Sequence, residues 1–213
     1  MTISEAEFTA NIANPESVYG YGGGLFIDKR RENRGPDGRI IPFKDINILI
    51  DLSNFTENIA YEGGALLFGS CAGVVRRSRF LRNQASAGGA DIRSEYRGYE
   101  VTDIKKVTEI SLSYFEFGGS ATVGAAISID LLGKYEDIDN LDEDGHPTVS
   151  FENSNNTKFM GGAAKIDQCT FVGSSLQNVE QGGAIYLRND RYLELTSCTF
   201  RTTAATKGGA LYA

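Results

Sequence analysis

Asp51 and Arg76 stand at the same distance before two phenylalanines, Phe55 and Phe80, and Ser111, Asp167 and Thr196 hold the same place before Phe115, Phe171 and Phe200. An acid and a base on neighbouring strands are the raw material of polysaccharide cleavage. A glycosidase needs two carboxylates facing one cleft, and a lyase needs a basic group beside acids that hold substrate or calcium. Asp51 and Arg76 read more simply as a cross-strand ion pair on a solvated face. His146, the only histidine, lies beside Pro147 with no Ser or Cys partner in its neighbourhood, so a nucleophilic triad has no base.

Metal and thiol chemistry start from other residues. The stretch NLDEDG places Asn140, Asp142 and Asp144 before Gly145, like the opening of a calcium loop, but the closing bidentate glutamate position holds Phe151. A solvated acidic loop is the default there and calcium the alternative. Cys169 and Cys198 share one column, two residues before Phe171 and Phe200. Ser and Ala fill that column elsewhere, which favours burial as small side chains; a disulfide between adjacent coils stays open. Two sequons, NFT at 54–56 and NNT at 155–157, matter only in a secreted eukaryotic chain. Asn54 precedes an inward phenylalanine and should point outward.

These residues share columns because the chain repeats. Gly-pair phrases begin at Gly22, Gly63, Gly88, Val123 (degenerate, VGAA), Gly161, Gly182 and Gly208, and the short steps set a unit of roughly 21 to 26 residues. Phe55, Phe80, Phe115 and Phe200 each lie eight residues before a Gly-pair position, with Phe8, Phe151 and Phe171 as looser equivalents. Two residues before each Phe the column is small: Ala6, Ser53, Ser78, Ser113, Val149, Cys169, Cys198. Five before, it is apolar: Ile3, Ile50, Val75, Ile110, Ile166, Leu195, broken by His146. Between these anchors the chain is rich in β-branched residues with partial alternation, and no long stretch carries a Gly-free helical period.

A unit of two or three short strands cannot bury its apolar face alone, but units stacked one per turn can. The expected fold is therefore all-β: a right-handed parallel β-helix of about seven coils in a single segment, 1–213, roughly 30–35 Å long at ~4.8 Å per coil. Ladders of Phe55, Phe80, Phe115, Phe171 and Phe200 should fill it. The pairs Gly63–Gly64, Gly88–Gly89, Gly182–Gly183 and Gly208–Gly209 should turn its corners, the first of each at positive φ. Asn11, Asn58 and Asn83, three residues after a Phe, are expected to point inward and bond up the stack.

Three insertions fall at one point of the repeat: 28–46, basic at its start; 94–107, mixed, with two tyrosines; and 131–147, strongly acidic. One position in a stacked coil is one side of the rod, so these loops should line one edge and carry partner contacts; drift at permissive turns is the plain alternative. The net charge of −7 argues against nucleic acid. No apolar run is long enough for a membrane span, no signal peptide is recognisable, and 3 cysteines are too few for a disulfide scaffold. Neither end holds a polar closing coil, so the chain is expected to be a segment of a longer β-helix or part of a larger assembly.

The paired signals FTEN (55–58) with GGAL (63–66) and FLRN (80–83) with GGAD (88–91), together with FTAN (8–11), resemble the repeats of the chlamydial polymorphic membrane proteins. The later copies FEFG, FENS, FVGS and FRTT lose the asparagine. The resemblance implies an autotransporter-adhesin type of passenger, a right-handed β-helix, at the cell surface or outside the cell. The expected function is a non-enzymatic, adhesin-like or structural rod without a cofactor. Its partners would be other proteins, further coils of its own longer chain, or subunits of an assembly. The rival readings are a carbohydrate-active enzyme, recognisable by acids and bases converging on an exposed strand face, and a purely architectural component.

Overall fold

In the computed structural model the described residues are 1–28, 33–34, 40–41, 48–69, 71–97, 107–117, 122–132, 163–173, 179–188 and 192–213. They are all strand, turn and corner, with no helix. The strands stack in parallel into three six-stranded sheets and one of three strands, the arrangement of a right-handed parallel β-helix.

The first strand of each coil belongs to an isoleucine-rich sheet: Thr2–Ser4, Leu49–Asp51, Val74–Arg76, Val107–Ser111, Ala163–Asp167 and Tyr192–Thr196. The second belongs to a phenylalanine sheet: Glu7–Thr9, Asn54–Thr56, Arg79–Leu81, Tyr114–Glu116, Thr170–Val172 and Thr199–Arg201. Among the described residues a sheet of three, Ile12–Ala13, Ile59–Glu62 and Gln84–Gly88, follows in the first three coils. A corner sheet closes the turn after the glycines: Leu25–Asp28, Leu66–Gly69, Ile92–Arg97, Ile127–Leu132, Ile185–Arg188 and Leu211–Tyr212. Asn33–Arg34 and Ile40–Ile41 form a separate antiparallel pair inside the first insertion.

Because strands pair in register, like sits on like. Ile50, Val75, Ile110 and Ile166 form one buried column. Phe8, Phe55, Phe80, Phe115, Phe171 and Phe200 form another, with successive ring centroids 4.7 to 4.9 Å apart and planes within 8°. Strand spacing dictates that separation, so the rings stack face to face, holding the sheet flatter than free strands would lie.

Among the described residues the stack is six coils deep. Phe115 pairs directly with Phe171, and Ile110 with Ile166. The two coils are therefore direct neighbours in the stack, and the copy around Phe151, with His146 in its apolar column, lies outside the described residues.

Two of the three corners are not made by glycine. Leu52, Arg77, Leu112, Gln168 and Ser197, three residues before a Phe, and Glu57, Arg82 and Thr202, two after, all adopt φ between 49 and 54°. The Phe strands Glu7–Thr9, Asn54–Thr56, Arg79–Leu81 and Thr199–Arg201 are thus bracketed by left-handed residues at both ends, whereas Tyr114–Glu116 and Thr170–Val172 have one only at their start. At the third corner, positive φ falls on Gly22, Gly63, Gly182 and Gly208, but on Gly89 and Gly124 rather than Gly88 and Val123. An extra residue between Ala85 and Gly88 shifts the register, so Gly88 aligns with Glu62 and Val123.

Candidate functional site

The outer column of the isoleucine sheet runs Ser4, Asp51, Arg76, Ser111, Asp167, Thr196 in register. Asp51 is nearly buried and accepts from two arginines of the next coil: Arg76 Nη2 at 3.1 Å and Arg77, whose Nε lies 2.9 Å away and whose Nη2 closes a bidentate pair. The Arg77 hydrogen bonds hold the Asp51 carboxyl down at about 2, with Arg76 adding to the pull against desolvation. This acid is locked as an anion and both bases are engaged. The arrangement ties one coil to the next and leaves no free general acid or base.

Inside the corner between the phenylalanine sheet and the three-stranded sheet, the asparagines form a polarised chain. Asn11 Nδ2 donates to Asn58 Oδ1 at 2.8 Å, and Asn58 Nδ2 donates to Asn83 Oδ1 at 2.9 Å. Each Oδ1 also accepts the backbone N–H one coil back, and the amides reach back to the carbonyls of Phe8 and Phe55. In the next coil the equivalent residue is Gly118, so the ladder has no further amide to end on. Asp91 takes that place: Asn83 Nδ2 donates to its Oδ1 at 2.9 Å. The register shift is what puts it there. It moves Asp91 into the column of Gly24, Ala65, Ala126, Ala184 and Ala210, where it is completely buried. Burial pushes its carboxyl well above the ordinary range, opposed only by the Asn83 hydrogen bond.

Acids and a base also converge on the outer side of the corner sheet. Arg93 lies 3.7 Å from Glu62 and 3.8 Å from Glu95, and Ser128 Oγ accepts from its guanidinium. Arg93 is only 5% exposed, and Glu95 and Ser128 are at 0%. The charge types suit acid–base chemistry on a sugar, but the cluster is sealed from solvent and offers substrate no approach. Sequence reasoning missed it, since an outward strand position carries no signal of being covered.

The small column before each Phe is a second ladder. Ser53, Ser78 and Ser113 Oγ donate to the carbonyls of Asp51, Arg76 and Ser111 at 2.8 to 2.9 Å. Their Oγ atoms accept the backbone N–H of the preceding coil, as from Ser53 to Ser78 and from Ser78 to Ser113. Cys169 and Cys198 continue it with Sγ donating to Asp167 O and Thr196 O at 3.3 and 3.4 Å. Neither is in a disulfide, and the buried Cys71 Sγ donates to the Ile27 carbonyl at 3.5 Å. Desolvation raises both thiols, Cys169 to about 12.

Asn54 lies on the outer, half-buried face of its strand. Asn140, Asp142, Asp144, His146 and the second sequon lie outside the described residues, and among the described residues no group of acids, histidines and cysteines is placed to hold a metal. No helix among them is long and apolar enough to cross a membrane. No family model, curated protein or solved structure matches the chain.

Proposed function

We propose that the chain is a non-enzymatic rod of the adhesin-like or structural kind, binding other proteins through the loops of one edge at a cell surface. The observation that carries this reading is where the insertions leave the coil. Leu25–Asp28 leads to Leu49–Asp51 through the first, Ile92–Arg97 to Val107–Ser111 through the second, and Ile127–Leu132 to Ala163–Asp167 through the third. All three join a corner-sheet strand to the isoleucine strand of the next coil, so their roots share one edge. A rigid ladder scaffold that tolerates long insertions at a single turn suits display. The sealed Arg93 cluster and the fully engaged Asp51 speak against carbohydrate cleavage, and the repeat resemblance supports a surface protein.

Residue-specific cross-linking in the native source tests it. Cross-links from partner proteins should map to 28–46, 94–107 and 131–147, and replacing those segments with short Gly-Ser linkers should abolish them. Cross-links confined to the outer face of the phenylalanine sheet would overturn the reading.

A further inference from the structure

Asp91 is a buried acid that the fold explains only in part. Its Oδ1 closes the amide ladder, but its Oδ2 has no hydrogen-bond partner among the described residues. The side chains turned inward by the strands around it, Phe55, Phe80, Phe115, Ala65, Ala85 and Ala126, carry no charge. The charged Arg93 and Glu95 stand on the outer face of its sheet, with Glu62 beside Arg93. Among the described residues no cation therefore compensates an ionised Asp91, and an uncompensated buried carboxylate is strongly disfavoured.

Its position makes that matter. Asp91 sits two residues past the left-handed Gly89 and immediately before Ile92–Arg97, the strand that runs into the insertion at 94–107. We propose that Asp91 is a proton-operated latch: neutral, it is held in the corner as the terminus of the Asn11–Asn58–Asn83 ladder; ionised, it drives the corner at 88–92 open and releases the root of the second insertion. The proton lost goes to bulk water and no other bond is made or broken.

The sign follows from the burial. The folded form binds the proton more tightly than the open form, whose aspartate titrates near the ordinary 3.8. The closed corner is at full strength below that pH and weakens as pH rises toward the folded titration point. One proton released on opening makes the opening constant rise up to tenfold per pH unit across that window. Asp91→Asn keeps the acceptor oxygen for Asn83 and removes the titration.

Amide hydrogen exchange, expressed as protection factors from pH 5 to 9, tests the latch on the whole chain. In the natural chain, protection across 88–97 should fall relative to Asp91→Asn as pH rises, while protection at 49–56 should run parallel in the two. Parallel behaviour at 88–97 would overturn the proposal. Should Asp91→Asn fail to fold, carbon-13 NMR of the natural chain decides: an Asp91 carboxyl that stays protonated beyond the ordinary carboxylate range sustains the latch, and one that titrates near 4 overturns it. Either result is independent of whether the edge loops bind a partner.

Discussion

Phe115 and Phe171 stack with centroids 4.8 Å apart and planes 6° from parallel, although the sequence between them carries the copy centred on Phe151. The fourth coil therefore stacks directly on the fifth, and the chain joining them runs through 133–162. Elsewhere the same turn is made by very little chain: Leu66–Gly69 reaches Val74–Arg76, and Ile185–Arg188 reaches Tyr192–Thr196, across three or four residues. Replacing 133–162 by a four-residue Gly-Ser linker should leave circular dichroism and cooperative urea unfolding essentially intact. Loss of the β signal would show that this segment holds up the stack.

The phenylalanine column sets the largest single energies. Phe80 has a ring on each side and no exposure, whereas Phe8 is partly buried at the first coil. Phe80→Ala should lower stability by roughly 3–5 kcal/mol, and Phe8→Ala by clearly less, since part of its surface is already wet and it stacks on Phe55 alone. Equal losses at the two positions in urea titrations would contradict the ladder.

The columns were readable because in-register parallel strands repeat side-chain type at a fixed place, and Ile, Phe and Ser tolerate no slip of face. What the sequence hid was local. The extra residue between Ala85 and Gly88 is invisible in SAGGADIR, where either glycine fits the corner, so nothing there marks Asp91 as an interior residue. The left-handed corners at Leu52, Arg77 and Leu112 carry no glycine or asparagine to announce them. Their conformation is imposed by the ladders on both sides, a tertiary override of local preference.

At the Gly63–Gly64 and Gly182–Gly183 corners the second glycine is placed for close approach rather than for φ. A Cβ on Gly64 would lie 2.2 Å from the Gln84 carbonyl oxygen and 2.4 Å from that of Ala90, both backbone atoms of the next coil. At Gly209 the nearest atom is 3.8 Å away. Gly64→Ala should therefore destabilise by several kcal/mol, in the tail reserved for steric conflict in a packed interior, whereas Gly209→Ala should change stability by less than about 1 kcal/mol. Comparable thermal shifts for both would refute the packing argument.

The thiol ladder makes a chemical prediction. With Cys169 pushed up to about 12 and only 1% exposed, thiolate is scarce and shielded at pH 8. Titration with a disulfide reagent should label Cys169 only on unfolding, and Cys198, half-buried, well before it. Cys169→Ser should be tolerated because Ser53, Ser78 and Ser113 already make the same hydrogen bond to the carbonyl two residues back. Rapid modification of native Cys169 would mean that the fifth coil opens readily.

Asp51 fixes how the rod responds to acid. Its folded carboxyl is held at about 2 against an ordinary 3.8, chiefly by Arg77 and then by Arg76. A depressed acid contributes stability that is complete above its unfolded value and is lost as protons bind. That contribution should be intact at pH 5, fall away between about 3.8 and 2, and vanish below. Asp51→Asn should weaken the fold at pH 7, because two arginines lose their anion, and should flatten the acid limb of stability against pH. Urea midpoints measured from pH 7 to 2 on both chains decide it: curves that converge below about 2 support the ion pair as the coil-to-coil tie, and curves that stay parallel throughout would mean that Asp51 is not titrating against Arg77 in the folded chain.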